Sequence, residues 1–278
     1  MKPLRLAAVQ VVLVIFPFAV SVIPRSAALA GEDVAACRAR VATAARTATV
    51  RSIERGLLCA RQRVQGKVLP TIDCADPDTW GSNGFAHGLN LLDRDEAHAA
   101  TTIGACEATV TAAGAGYTAC PSPCDALAIA SLNDVAACAT CVGRHRAAEA
   151  LAAVVGSPAL PLDRSARRCH QRIGRNLAKY ANARMFAQNL CQVRKERGDP
   201  PFATVSDCRA IDDPGHPHFG YLAIIRGKLD HWLDAACRNV PLAALGSCGA
   251  SLAAEADCIA GEAAVAGDAA YGAAFPPL

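Results

Sequence analysis

The sequence predicts an all-α protein built as two tandem disulfide-stapled helical-hairpin units of three helices each. Three observations carry this. Cysteines recur in the same order and with similar spacings in two halves of the chain, eight in the first and six in the second. Long stretches rich in Ala, Arg, Leu and Gln contain almost no Gly or Pro, which favours helix. No sustained period-two alternation appears, which argues against a sheet.

Lys2 and Arg5 precede an apolar run over residues 6–23 and the small triplet Ala28, Leu29, Ala30. That order predicts a secretory signal peptide over residues 1–30, cleaved before Gly31. The competing reading is a retained anchor, since eighteen mostly apolar residues approach a membrane span, although Gln10, Pro17 and Pro24 interrupt them. Val34, Ala35, Ala36 and Cys37 imitate a lipid-attachment box. Glu32 and Asp33 separate them from the apolar run, and the same four residues recur at 135–138 as a helical turn.

Lys2, Arg5 and Arg25 hold the whole excess of 28 basic over 25 acidic residues. The exported chain is then formally neutral, with no overall charge to draw in nucleic acid, so no nucleic acid is expected as a partner. Aromatic residues make up only 5% of a chain rich in alanine, so each core is thin and needs covalent support. Fourteen cysteines behind an export signal read as seven disulfides formed in an oxidising compartment, periplasmic or extracellular.

Aligning Cys37 with Cys169 exposes the repeat. Cys59 and Cys191 follow 22 residues later, then Cys74 and Cys208 after 15 and 17, then Cys106 and Cys237 after 32 and 29. LNDVAAC at 132–138 then matches LAAEADC at 252–258. Fixed helices with drifting loops, a duplication, are the expectation. The Gly and Pro cluster at 156–161 marks the boundary between unit one, residues 31–160, and unit two, residues 161–278.

The first helix of each unit is predicted at 34–66 and 163–196. Val34, Val41, Ala45 and Ala48 form the apolar stripe of one; Ile173, Leu177, Phe186, Leu190 and Val193 form that of the other. Loops rich in Asp, Pro and Gly follow at 73–88 and 207–215. Second helices are predicted at 92–113 and 219–238, and third helices at 131–155 and 249–265.

Helix geometry then restricts the cysteine pairing. Residues 22 apart on one helix are separated by roughly 33 Å, too far for Cys37 to meet Cys59. An antiparallel hairpin instead brings Cys106 to Cys37 and Cys237 to Cys169, while the loop end is clipped by Cys59 with Cys74 and by Cys191 with Cys208. Cys248 with Cys258 remains in unit two. In unit one Cys120, Cys124, Cys138 and Cys141 pair among themselves in an order that spacing leaves open.

Those four cysteines also have the spacing of a four-thiolate zinc site, and Cys138 with Cys141 forms a C-x-x-C. Unit two keeps only Cys248 and Cys258 there, and Gly261 stands where Cys141 would fall, so disulfides are the better account. His145 is a further ligand only if the adjacent cysteines are free. His216, His218 and His231 near Asp212 and Asp213 read as solvated loop and helix groups. No G-x-S-x-G, H-E-x-x-H, P-loop or dinucleotide fingerprint is found, and Val142 after Cys141 excludes c-type haem attachment. No catalytic residue, metal ligand or cofactor is assigned.

The most informative functional feature is electrostatic. Arg164, Arg168, Arg172, Arg175 and Lys179 recur every three or four residues and so line one helix face. Between Cys37 and Lys67 eight Lys or Arg face only Glu54, with Asp93, Asp95 and Glu96 as compensating acids on the neighbouring segment. A basic face of this kind suits an acidic polysaccharide, a lipid head group or an acidic protein.

Cys169 to Cys191 with Ile173, Gly174, Lys179, Tyr180 and Gln192, followed by Cys208, Cys237, Cys248 and Cys258, resembles a family of uncharacterised bacterial secreted cysteine-rich helical repeat proteins. In unit one the matching part is residues 132–155, including Cys141, His145 and Leu151. The resemblance implies secretion and the repeat; it implies no activity or cofactor. The expectation is therefore a non-enzymatic exported protein, structural or binding, that contacts an anionic partner through the 163–197 helix. A zinc-binding module at Cys120–Cys141 and a periplasmic thiol-redox or hydrolytic enzyme are the alternatives.

Overall fold

The computed structural model describes residues 25–80, 85–158 and 160–276, with side chains described from residue 33 onward. Most of the expected signal peptide, residues 1–24, lies outside the described residues. Six α-helices and short 3-10 turns make up the described regular structure, without a strand. The helices are α1 (Arg25–Val64), α2 (Ala86–Gly104), α3 (Leu132–Val154), α4 (Arg164–Glu196), α5 (Phe219–Cys237) and α6 (Leu252–Ala274). None of them is long and apolar enough to cross a membrane.

Local chemistry sets the helix ends. Asp163 caps α4 by accepting the Ala166 N–H at 2.7 Å. Ser131 and Asp134 form a reciprocal capping box at the start of α3, and Ser251 accepts the Ala254 N–H at the start of α6. The hydrogen bonds from Ala130 and Ser131 hold the Asp134 carboxyl below the usual range. Past α1 and α4 the chain turns through Gly66 and Gly198 at φ 70° and 74°, a conformation that costs glycine little.

Several boundaries differ from expectation, each for a physical reason. α1 starts at Arg25, so the bond before Gly31 falls inside it. α2 begins six residues before the expected Leu92 and ends at Gly104 instead of 113. Gly88, read as a loop residue, sits inside α2, and it carries no side chain there because a Cβ would lie 2.0 Å from the buried Phe85 ring. That ring packs edge-on against Trp80 with centroids 5.1 Å apart. Beyond Gly104 the run Thr109, Val110, Thr111 is a poor helix former, and the chain folds back to bury Val110, Ala115 and Tyr117. α6 continues nine residues past Val265, and the Ala274 carbonyl accepts the Tyr117 hydroxyl at 2.7 Å.

Phe186 is a correction of another kind. It was grouped with Ile173 and Leu177 as core, yet it is 44% exposed while they are fully buried. Thirteen residues separate Ile173 from Phe186, which at about 100° per residue is more than half a turn, so they face opposite ways. Tyr180, Ala181, Met185 and Cys191 fill the buried side instead.

Seven disulfides tie the helices to one another or to the adjoining loops, and no free cysteine remains. Cys37–Cys106 and Cys59–Cys74 clip the α1/α2 hairpin, and Cys169–Cys237 and Cys191–Cys208 clip the α4/α5 hairpin. Cys248–Cys258 closes the start of α6, and the order left open resolves as Cys120–Cys138 with Cys124–Cys141.

The apolar core does not divide at the 156–161 cluster. One buried cluster joins Ile53 and Leu151 to Ile173, Met185, Leu229 and Ile259; a second joins Val41, Ile103 and Val135 to Phe202 and Tyr271. Small residues allow the close crossings. A Cβ on Gly143 of α3 would lie 2.6 Å from Thr49 Oγ1 of α1. Between α3 and α4, Gly156 adopts φ 58°, and a Cβ there would meet the Gly246 carbonyl at 2.1 Å.

Asn176 of α4 is a polar exception in this interior. Its side chain is 1% exposed, and neither its amide nitrogen nor its oxygen has a partner among the described residues. Ala44 stands at the aligned position of α1, seven residues past Cys37. N176A is expected to raise unfolding stability by about 1 kcal/mol by removing an unsatisfied amide. A lowered denaturant midpoint would show instead that the amide is hydrogen-bonded.

Candidate anion-contact surface

The basic groups of the protein divide sharply into those consumed by the fold and those left free. α1 consumes most of its own. Arg38, 3% exposed, donates to the Pro276 carbonyl at 2.9 Å, pairs with Glu196 and lies over the Phe275 ring. Arg51 pairs with Glu54, and Arg55 reaches Asp95 at 2.9 Å. Arg63 is buried and donates to the Ile72 carbonyl and to Ser157. The acids expected to offset this helix therefore do so in part, through Asp95, while Glu96 pairs with Arg144 of α3.

The stripe on α4 is different. Arg164, Arg168, Arg175 and Lys179 are exposed and Arg172 is half-buried. No hydrogen bond or ion pair to another described residue holds any of the four guanidinium groups. At about 100° per residue the five fall within an arc of about 80°. Lys179 sits 4.2 Å above the Trp232 ring of α5, which orients its ammonium without neutralising it. Beside the stripe, a groove of about 330 Å³ between α1 and α4 is lined by Arg61 and Arg175 above Leu57 and Leu58. Glu54 and Arg55 also line it, but each is committed to its own partner. The arrangement can seat anionic groups in series along one helix.

The face continues beyond the cations. Phe186 lies seven residues past Lys179, two turns along the same arc. Its ring meets Tyr221 of α5 edge-on at 6.4 Å, and Arg46 of α1 stacks over it at 5.5 Å. Burial pushes the Arg46 guanidinium below its ordinary value, an effect that the neighbouring Tyr221 opposes.

Other sites prove to be structural. A cavity of about 540 Å³ lies between Arg38 of α1 and Gln192, Glu196, Tyr271 and Phe275 of the second half. Its polar groups are turned on one another: Tyr271 donates to Gln192 at 2.6 Å, and burial pushes the Tyr271 hydroxyl up to about 12. The unpartnered atoms there, Arg38 Nε and Glu196 Oε2, are sealed from solvent. Arg184 of α4 is 5% exposed and holds Asp212 and Asp268 together. Burial would lower its guanidinium, but those two carboxylates outweigh burial and hold it above its ordinary value.

His216 and His218 likewise serve the fold, and His216 is buried rather than the solvated loop group that the sequence predicts. His216 Nδ1 accepts the His218 N–H at 3.1 Å, which leaves Nε2 as the protonated nitrogen facing Cys191 Sγ at 3.4 Å. Burial lowers the affinity of both rings for a second proton. His231 is exposed on α5 and joins no such group. Among the described residues, Cys124, Cys141 and His145 alone bring three ligand atoms within 4.8 Å of one another. Cys124 and Cys141 are bonded to each other, so the trio could ligate a metal only after that bond is reduced.

Comparison with family models, with curated proteins and with solved structures finds no match to this chain.

Proposed function

We propose that this chain is an exported, non-enzymatic binding protein whose contact surface for an anionic partner is the solvent face of α4. The observation that carries the reading is the contrast between helices. Arg38, Arg51, Arg55 and Arg63 of α1 are each tied to an acceptor, whereas Arg164, Arg168, Arg172 and Arg175 of α4 have none among the described residues. A fold that satisfies its interior arginines yet leaves four in a row uncommitted presents them to something outside itself. An acidic polysaccharide, a lipid head group and an acidic protein share the chemistry that would answer them. Export is supported by the pairing of all fourteen cysteines, a state that persists in oxidising compartments.

The reading is tested on a column of sulfated polysaccharide. Wild-type protein is expected to be retained and to elute earlier as salt rises, because exposed charges are screened beyond about 8 Å at physiological ionic strength. The variant R168Q/R172Q/R175Q is expected to lose roughly 1 kcal/mol of binding per cation removed. Retention that ignored salt, or that survived the triple substitution, would remove the basis of the proposal.

A further inference from the structure

The cations and the exposed apolar residues occupy one continuous face. On α4 the arc holding Arg164, Arg168, Arg172, Arg175 and Lys179 ends in Phe186, 22 residues and roughly 33 Å along the helix from Arg164. On α5, antiparallel to α4, the adjoining outer arc carries Tyr221, Ile224 and Lys228 within about 60°. Tyr221 is 40% and Ile224 60% exposed, and Ile224 is the most exposed large apolar side chain among the described residues. The α5 acids lie elsewhere. Asp230 pairs with Arg226 and Asp234 with Arg238, both away from that arc.

A soluble acidic polysaccharide or an acidic peptide would use the cations and leave Phe186, Tyr221 and Ile224 in water. A bilayer uses both: lipid phosphates take the guanidinium groups, and the head-group boundary takes aromatic and aliphatic side chains that project beside them. We infer that this α4/α5 face docks on an anionic lipid surface, with Phe186, Tyr221 and Ile224 entering the head-group layer and Arg164, Arg168, Arg172, Arg175, Lys179 and Lys228 lying over lipid phosphates. The inference rests on the anion-contact reading above and narrows its partner to a lipid bilayer.

Co-sedimentation with unilamellar vesicles tests it. The full chain is expected to bind vesicles of mixed phosphatidylglycerol and phosphatidylcholine and to leave vesicles of phosphatidylcholine alone in the supernatant. R168Q/R172Q/R175Q should bind the anionic vesicles about a hundredfold more weakly, as roughly one fivefold step per cation implies. F186S/I224S should bind them at least about tenfold more weakly. Both substituted apolar residues are exposed, so the far-UV circular dichroism of that variant should match wild type. I224S alone, altered on α5 outside the α4 face, should keep wild-type retention on the sulfated polysaccharide column. Vesicle binding by F186S/I224S equal to wild type would overturn the lipid inference and leave the anion-contact reading standing. So would retention on the polysaccharide without binding to anionic vesicles. Failure to bind either polyanion would sink both.

Discussion

A variant lacking both Cys169 and Cys237, each replaced by alanine, is expected to be about 4 kcal/mol less stable to denaturant than the parent protein. This bridge links residues 68 apart and so closes one of the two longest loops among the seven; Cys37–Cys106, at 69, closes the other. Removing it returns that loop's freedom to the unfolded chain. The companion variant without Cys248 and Cys258, only 10 apart, should lose about 2.5 to 3 kcal/mol. Urea unfolding followed by circular dichroism supplies the ranking. If the short loop proved the costlier to open, the staples would be acting through native contacts and not through restriction of the unfolded state.

The second large effect concerns a charge in the interior. Neutralising both carboxylates that face Arg184, as D212N/D268N, leaves a guanidinium that is 5% exposed without an anion. Removing one side of a buried pair typically costs 3 to 5 kcal/mol. Asp212 and Asp268 themselves reach solvent, at 56% and 41% exposure, so water partly replaces them and about 3 kcal/mol is expected. Adding Arg184→Met to the double variant should recover most of the loss, because the stranded charge is then gone. No recovery would mean that packing, and not charge, decides the site.

The sequence made the helix hairpins and their cysteine partners legible because a helix is a ruler. Two cysteines 22 residues apart on α1 or α4 cannot meet, and an antiparallel hairpin then selects which of the remaining partners each one reaches. The start of α2 was not legible. Gly88 carries the composition of a loop; that position is glycine because of the Phe85 ring, a contact that no local pattern announces. The exposed face of α4 could have been found earlier: Phe186 falls in step with Arg175 and Lys179, not with Ile173, and phase alone separates them. The buried arginines could not. Arg63 is enclosed while Arg61 is exposed, and Arg38 owes its burial to Pro276 and Glu196, acceptors brought from the far end of the chain. Which cations stay uncommitted is thus a tertiary fact, and the candidate surface emerges only once those acceptors are in place.

No sulfur bridge crosses the connection between α3 and α4, although both apolar clusters do. The first half can therefore complete all four of its covalent links independently of the second. Thiols from the two halves need not compete for wrong partners. The halves then meet as prefastened pieces, joined by apolar burial and by a few polar contacts such as Arg38 with Glu196 and Tyr117 with the Ala274 carbonyl.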